Sequence, residues 1–127
     1  MSLTYAPHVA AMRDKMLRKR LWVVITKAVA PPEELSKALE AHLQHQIRLE
    51  KEGIMFGAGP LSNPDGSPTG TGMIIIRAES EADARRIADQ DPFHAKGLRT
   101  YTLQQWSLNE GRLNITIDFS DQSYRFA

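Results

Sequence analysis

The chain has 127 residues, 42% of them apolar and 24% charged, which is enough for one hydrophobic core and one domain. A formal charge of +1 makes no field that would recruit nucleic acid or an anionic membrane. The absence of cysteine removes disulfides, Cys-ligated zinc and thiol nucleophiles, and no stretch approaches the roughly 20 apolar residues of a membrane span.

Residues 8–20 read as a first helix, with Val9, Met12 and Met16 on one side and a solvated basic face through Arg13, Lys15, Arg18, Lys19 and Arg20. Leu21 to Lys27 is a near-continuous apolar run with β-branched residues, the pattern of a buried strand. The run Leu21 to Ala30 after Arg18-Lys19-Arg20 has the outline of a signal peptide, but Lys27 interrupts it and Pro31-Pro32 stand where small cleavage-site residues belong. A cytoplasmic protein is therefore expected.

A long helix follows from Pro31 to Glu52, opened by proline and by Glu33 and Glu34 at the positive end of the dipole, and stopped by Gly53. Ile54 to Leu61 is a strand whose second half, Gly57-Ala58-Gly59-Pro60, carries almost no side chains. Ser62 to Gly70 is rich in turn residues, and Thr71 to Ala78 contains the strand Met73-Ile74-Ile75-Ile76. Ser80 with Asp83 resembles a capping box, opening a helix from Ser80 to Gln90 that Pro92 ends. Arg99 to Trp106 is a fourth strand. Beyond it, residues 112–127 alternate Leu113, Ile115, Ile117 and Phe119 with polar residues and turn at Ser120-Asp121-Gln122, a hairpin signal. A lone hairpin is marginal in water, so it is expected to pack on the core or on a partner subunit.

From Leu21 to Trp106 the order is β-α-β-β-α-β. Right-handed crossovers put both helices on one face of an antiparallel sheet, a ferredoxin-like α+β fold. The other face needs a cover, and a second copy of the chain is the natural one. The whole chain is then a single domain, residues 1–127, with a core at about 21–106, an extra N-terminal helix and a C-terminal β-hairpin.

Two acid–base residues fall where folding alone would place hydrocarbon. The long helix repeats Leu35, Leu39, Leu43 and Ile47, and at about 100° per residue His42 lies near the middle of that stripe. Asp91, seven residues after Ala84 and three after Ala88, continues the inward stripe of the next helix. Such a pair either meets or costs stability. Alone, His42 would read as a core histidine bonded to backbone, and Asp91 before Pro92 as a turn-former. Gln46 shares the stripe with His42 and either orients the ring or bonds to backbone. Gly57 and Gly59 serve close strand–helix packing or clear a floor for a ligand. His45 points to the polar side and is expected to be solvated; His94 sits in a loop at the mouth of any cleft.

Other chemistries find no footing. His42 and His45 are three residues apart and about 60° out of phase, so a three-ligand metal site is not expected. No glycine loop opens a helix to cradle phosphate, and Ser62 lacks the elbow of a serine nucleophile. No cofactor motif is present.

Taken together, His42-Leu43, Gly53, Gly57-Ala58-Gly59-Pro60-Leu61, Asp65-Gly66 and Asp91-Pro92-Phe93-His94-Ala95-Lys96-Gly97-Leu98, closing on Trp106, resemble the YCII-related family. The resemblance implies a ferredoxin-like subunit, a dimeric α+β barrel, and a His–Asp active site that would fall on His42 and Asp91. Some members resemble enzymes that dechlorinate or isomerise aromatic-degradation intermediates.

Two function classes follow from this reading. One is a cofactor-independent isomerase or lyase in which His42 and Asp91 handle protons, with Gly57, Gly59, Pro60, Leu61, Phe93, His94 and Gln46 around the substrate. The other is a non-catalytic small-ligand or interaction module in which the same pair is structural. Either binds a small molecule as a homo-oligomer, and neither calls for nucleic acid or membrane.

Overall fold

The computed structural model describes residues 4–126. Residues Arg20–Trp106 form one compact unit. It is built from β1 (Lys19–Ala28), α1 (Pro32–Lys51), β2 (Met55–Ser62), β3 (Pro68–Ile76), α2 (Glu81–Asp89), the one-turn α3 (Pro92–Ala95) and β4 (Arg99–Leu108), whose end strands run slightly past its limits. The four strands lie in the order β2-β3-β1-β4. Antiparallel registers pair Trp22 with Ile76 and Val24 with Ile74, and then Ala58 with Ile74 on the far side of β3. This is the ferredoxin-like α+β fold expected from the β-α-β-β-α-β order.

Alternation along the strands decides where the core lies. Trp22 and Val24 of β1 and Ile74 and Ile76 of β3 point to one face, where they meet Leu49 of α1 and Ala84, Ile87 and Ala88 of α2. Tyr101 and Leu103 of β4 pack against the same cluster. The buried indole of Trp22 donates to the carbonyl of Ala78 at 3.2 Å, so its N–H is not left unpaired. Each fully buried aliphatic side chain contributes about 1.5–3 kcal/mol.

The helix ends follow local chemistry. Gly53, at φ +77°, closes α1 in a Schellman arrangement: its N–H donates to Glu50 O, and the Ile54 N–H donates to Leu49 O. Ser80 caps α2 by accepting from the Asp83 amide, and the Asp83 carboxylate reaches back to the Glu79 amide.

The stripe on α1 departs from expectation. Its buried residues are Ala38, His45 and Leu49, with His42 half-buried beside them. Leu39, Leu43 and Ile47 are about half exposed. The reason lies across from them. The facing stretch of β2 is Gly57-Ala58-Gly59-Pro60, whose side chains are absent or small, so that part of the helix borders open space.

Residues before and after this unit form a second one. Here a short helix spans Pro7–Asp14, not residues 8–20: Arg18 takes the left-handed region at φ +49°, and the chain is already extended by Lys19. The C-terminal hairpin pairs Ile115–Ile117 with Tyr124–Phe126. Within this unit Leu17 N–H donates to Asn109 O. The hairpin's strand residues are exposed, as is Phe119. Residue 127, at the end of the hairpin as first delimited, lies outside the described residues.

Candidate active site

The open space beside α1 is a cleft of about 770 Å³. Its walls are mainly apolar: Leu39, Leu43 and Ile47 from α1, Ala58, Pro60 and Leu61 from β2, Ile74 from β3, and Phe93 from α3. Polar side chains in its lining include His42, Gln46 and Glu50 from α1, and Thr26 and Arg99, which bond to each other. A concave apolar site with a few polar groups is the usual form of a small-molecule pocket.

His42 and Asp91 meet. Nδ1 of His42 lies 2.9 Å from both carboxylate oxygens of Asp91. A carboxylate only accepts, so Nδ1 carries the shared proton and Nε2 is left as the basic nitrogen of the neutral ring. Asp91 is 3% exposed and is not on the α2 stripe, since that helix ends at Asp89. It is instead the N-cap of α3, where Oδ1 accepts from the Phe93 amide at 2.9 Å. Pro92 at the first helical position sets this turn and explains why a helical period carried through from Ala84 places Asp91 on the wrong element. Burial opposes ionisation of Asp91. The His42 hydrogen bond and charge, the Phe93 amide and His94 outweigh it, and the carboxyl lies below its usual value. Phe93 stacks on the His42 ring, with centroids 4.3 Å apart and planes inclined by 27°.

The remaining residues divide. Gly59, Pro60, Leu61, Phe93 and Gln46 line the cleft, whereas Gly57 and His94 do not. Gly57 pairs with Ile75 and so takes the sheet face away from the helices. A side chain at Gly57 or Gly59 would meet no atom within 4 Å, so close strand–helix packing is not what requires either glycine. His94 lies on α3 rather than in a loop and is turned inward: Nδ1 donates to Ala88 O at 2.7 Å, and Nε2 is 2.8 Å from Thr26 Oγ1. His45 is buried, not solvated, at 3% exposure. Arg48 donates to its Nδ1 at 2.7 Å, which puts the ring proton on Nε2, and Nε2 finds no partner among the described residues. Beside it is a small pocket of about 10 Å³, about the space of one water, also bordered by Asp91 and His94. Burial lowers the pKa of His45, with Arg48, His42 and His94 adding to the effect and Asp91 opposing it.

Arg99 and Thr26 escaped sequence reasoning. The fully assigned network runs from Ala88 O through His94 to Thr26, whose hydroxyl donates to His94 Nε2 and accepts from Arg99 Nε at 2.9 Å. Arginine at the first position of a strand reads as solvated, and only the sheet register shows that β4 brings it to buried Thr26. Among the described residues no group of three or more His, Asp or Glu side chains converges to hold a metal ion. No helix there is long and apolar enough to cross a membrane.

Residues 19–107 match the model of the YCII-related domain, well over half of the chain. The chain belongs to the YCII-related family. No curated protein matches the sequence significantly. Among solved structures, this YCII-related chain is similar to 5-chloro-2-hydroxyhydroquinone dehydrochlorinase (TftG) from Burkholderia phenoliruptrix AC1100, in complex with 2,5-dihydroxybenzoquinone. The two share 22% identity and a TM-score of 0.51 over 68% of this chain and 93% of the other, a likeness of fold.

Proposed function

We propose that the protein is a small-molecule enzyme of the isomerase or lyase type, using His42 as general acid–base without a cofactor. The observation that carries this reading is the His42–Asp91 pair set in the wall of a cleft of about 770 Å³. Nε2 of His42 takes a proton from a carbon beside a carbonyl, or from a ring hydroxyl. Returning it elsewhere completes an isomerisation; loss of a neighbouring halide as its anion completes an elimination. Asp91 holds the ring in one tautomer and stabilises the imidazolium without shuttling the proton itself. Gly59, Pro60 and Leu61 form the floor, and Gln46 and Phe93 border the reacting ring.

The likeness to TftG supports flat hydroxyquinone-type intermediates of aromatic degradation as the substrate class. The protein works in the cytoplasm as a homodimer in which a second copy covers the sheet face opposite the helices. Half-exposed Phe56, set edge-on to Trp106 at 6.2 Å, supports that cover. Light scattering at micromolar concentration should give twice the 14.3 kDa chain mass. The test of the activity is turnover of halogenated hydroxyhydroquinones, followed by halide release, in wild type and His42→Ala. Equal rates in the two would remove His42 from the chemistry, and rates no faster than the uncatalysed reaction in both would move the reading to a non-catalytic ligand-binding module.

A further inference from the structure

Arg99 is a half-buried cation with no carboxylate in direct contact; buried Asp91 acts on it only at longer range. Nε donates to Thr26 Oγ1, and Nη2 donates to Thr26 O at 3.2 Å and Gly70 O at 3.1 Å. These acceptors are all neutral, and among the described residues Nη1 has no hydrogen-bond partner and no carboxylate lies within 4 Å of the guanidinium. The group is nonetheless held firmly. Thr26 is itself buried and tied to His94, and Gly70 closes the other side. A guanidinium fixed by three bonds to neutral oxygens, with one nitrogen free and a wall of the cleft as its surroundings, is a donor set that wants an anion.

Its placement fits the chemistry of the cleft. The Phe93 ring is 4.3 Å from the His42 ring and 5.8 Å from the Arg99 guanidinium carbon, so one aromatic ring spans the interval between base and cation. Glu50 is the one carboxylate that also lines the cleft, and it stands eight residues along α1 from His42, about 12 Å at helical rise. Asp91, the nearer carboxylate, is already engaged by His42 Nδ1 and the Phe93 amide, so it does not occupy the free face of Arg99.

We propose that Arg99 is the anion-binding element of this cleft, and that the ligand is a flat molecule presenting an ionised oxygen, as a phenolate, enolate or carboxylate, to Nη1 while its reacting position faces His42. The inference rests on the acid–base reading for its second half only; the anion site stands without it. Proton removal beside a carbonyl builds charge on that oxygen, and a fixed guanidinium facing it stabilises the change.

The test compares matched probes by calorimetry: 2,5-dihydroxybenzoquinone, whose hydroxyls are vinylogous acids, against its neutral dimethyl ether, and benzoate against benzamide. Wild type should prefer the anion of each pair by about 10- to 100-fold. Arg99→Met should lose that preference while binding the neutral members as before, and Arg99→Lys should recover part of it. Should Arg99→Met fail to fold, nitrogen-labelled arginine signals decide in wild type: Arg99 Nε must shift with benzoate and not with benzamide. An unmoved Arg99 signal, or equal affinity for both members of each pair up to millimolar concentration, overturns the proposal. His42→Ala should keep the anion preference; if it does while turnover is also unchanged, the acid–base reading falls and the anion site stands.

Discussion

Both carboxylate oxygens of Asp91 lie 2.9 Å from Nδ1 of His42, and one of them also accepts the Phe93 amide. The acid is thus fixed by the start of α3, and the imidazole by the acid. His42→Ala should lower turnover by about 10²–10⁴-fold, the usual contribution of a positioned proton-transfer group. Asp91→Asn keeps a cap for Phe93 but cannot stabilise an imidazolium, so its loss should be smaller. Steady-state kinetics with circular dichroism on the same samples checks both, and a larger loss in Asp91→Asn than in His42→Ala would contradict the assigned roles.

Two leucines on one helix should respond differently to truncation. Leu49 is 5% exposed in the core, so Leu49→Ala should cost about 2–5 kcal/mol. Leu43 is 48% exposed on the cleft side, and Leu43→Ala should change stability by no more than about 0.5 kcal/mol. Urea denaturation measures both; similar costs would mean that the cleft is closed in solution.

Filling the cleft should separate binding from folding. Ala58 is exposed and lines it, opposite Ile74 in the register. Ala58→Leu adds hydrocarbon to open space, so the thermal midpoint should hold within a few degrees while affinity for aromatic ligands falls at least about tenfold, or 1.4 kcal/mol. Undiminished affinity would place the ligand elsewhere.

Acid should unfold the protein in two stages. His45 has a lowered pKa in the folded state, so below the unfolded value of 6.5 the unfolded chain binds more protons and stability falls with pH. Asp91 is also lowered, so its contribution is present above 3.8 and is lost as pH falls through its folded value. Denaturation midpoints measured from about pH 8 to pH 3 should show both declines. His45→Gln removes the upper one and leaves the lower. A wild-type midpoint that rises between pH 7 and pH 5 would contradict the buried, neutral ring.

Periodicity was sufficient for the fold, because Val-Val-Ile and Ile-Ile-Ile runs bounded by Pro and Gly admit few readings, and two crossovers then leave one sheet order. It also put His42 and Asp91 close enough to consider as a pair. It failed on faces. Counting Leu35, Leu39, Leu43 and Ile47 as inward assumed that bulky side chains stood opposite, and the Gly57–Pro60 stretch of β2 has only small ones. His45 was assigned to solvent by the same error, since the true inward row is rotated by one position. Arg99 was illegible for another reason: its partners Thr26 and Gly70 are 73 and 29 residues away, and only strand pairing brings them together.

A wall of small side chains has a further effect on how the protein can change. The row Ala38, His45 and Leu49 anchors the long helix, while the neighbouring row Leu39, Leu43 and Ile47 only borders the cleft. Anchoring and recognition are therefore written in different residues of one helix. Substitutions in the second row, or at Ala58 across from it, reshape what fits without loosening what holds, so this scaffold can drift from one small molecule to another through single steps that leave its stability nearly untouched.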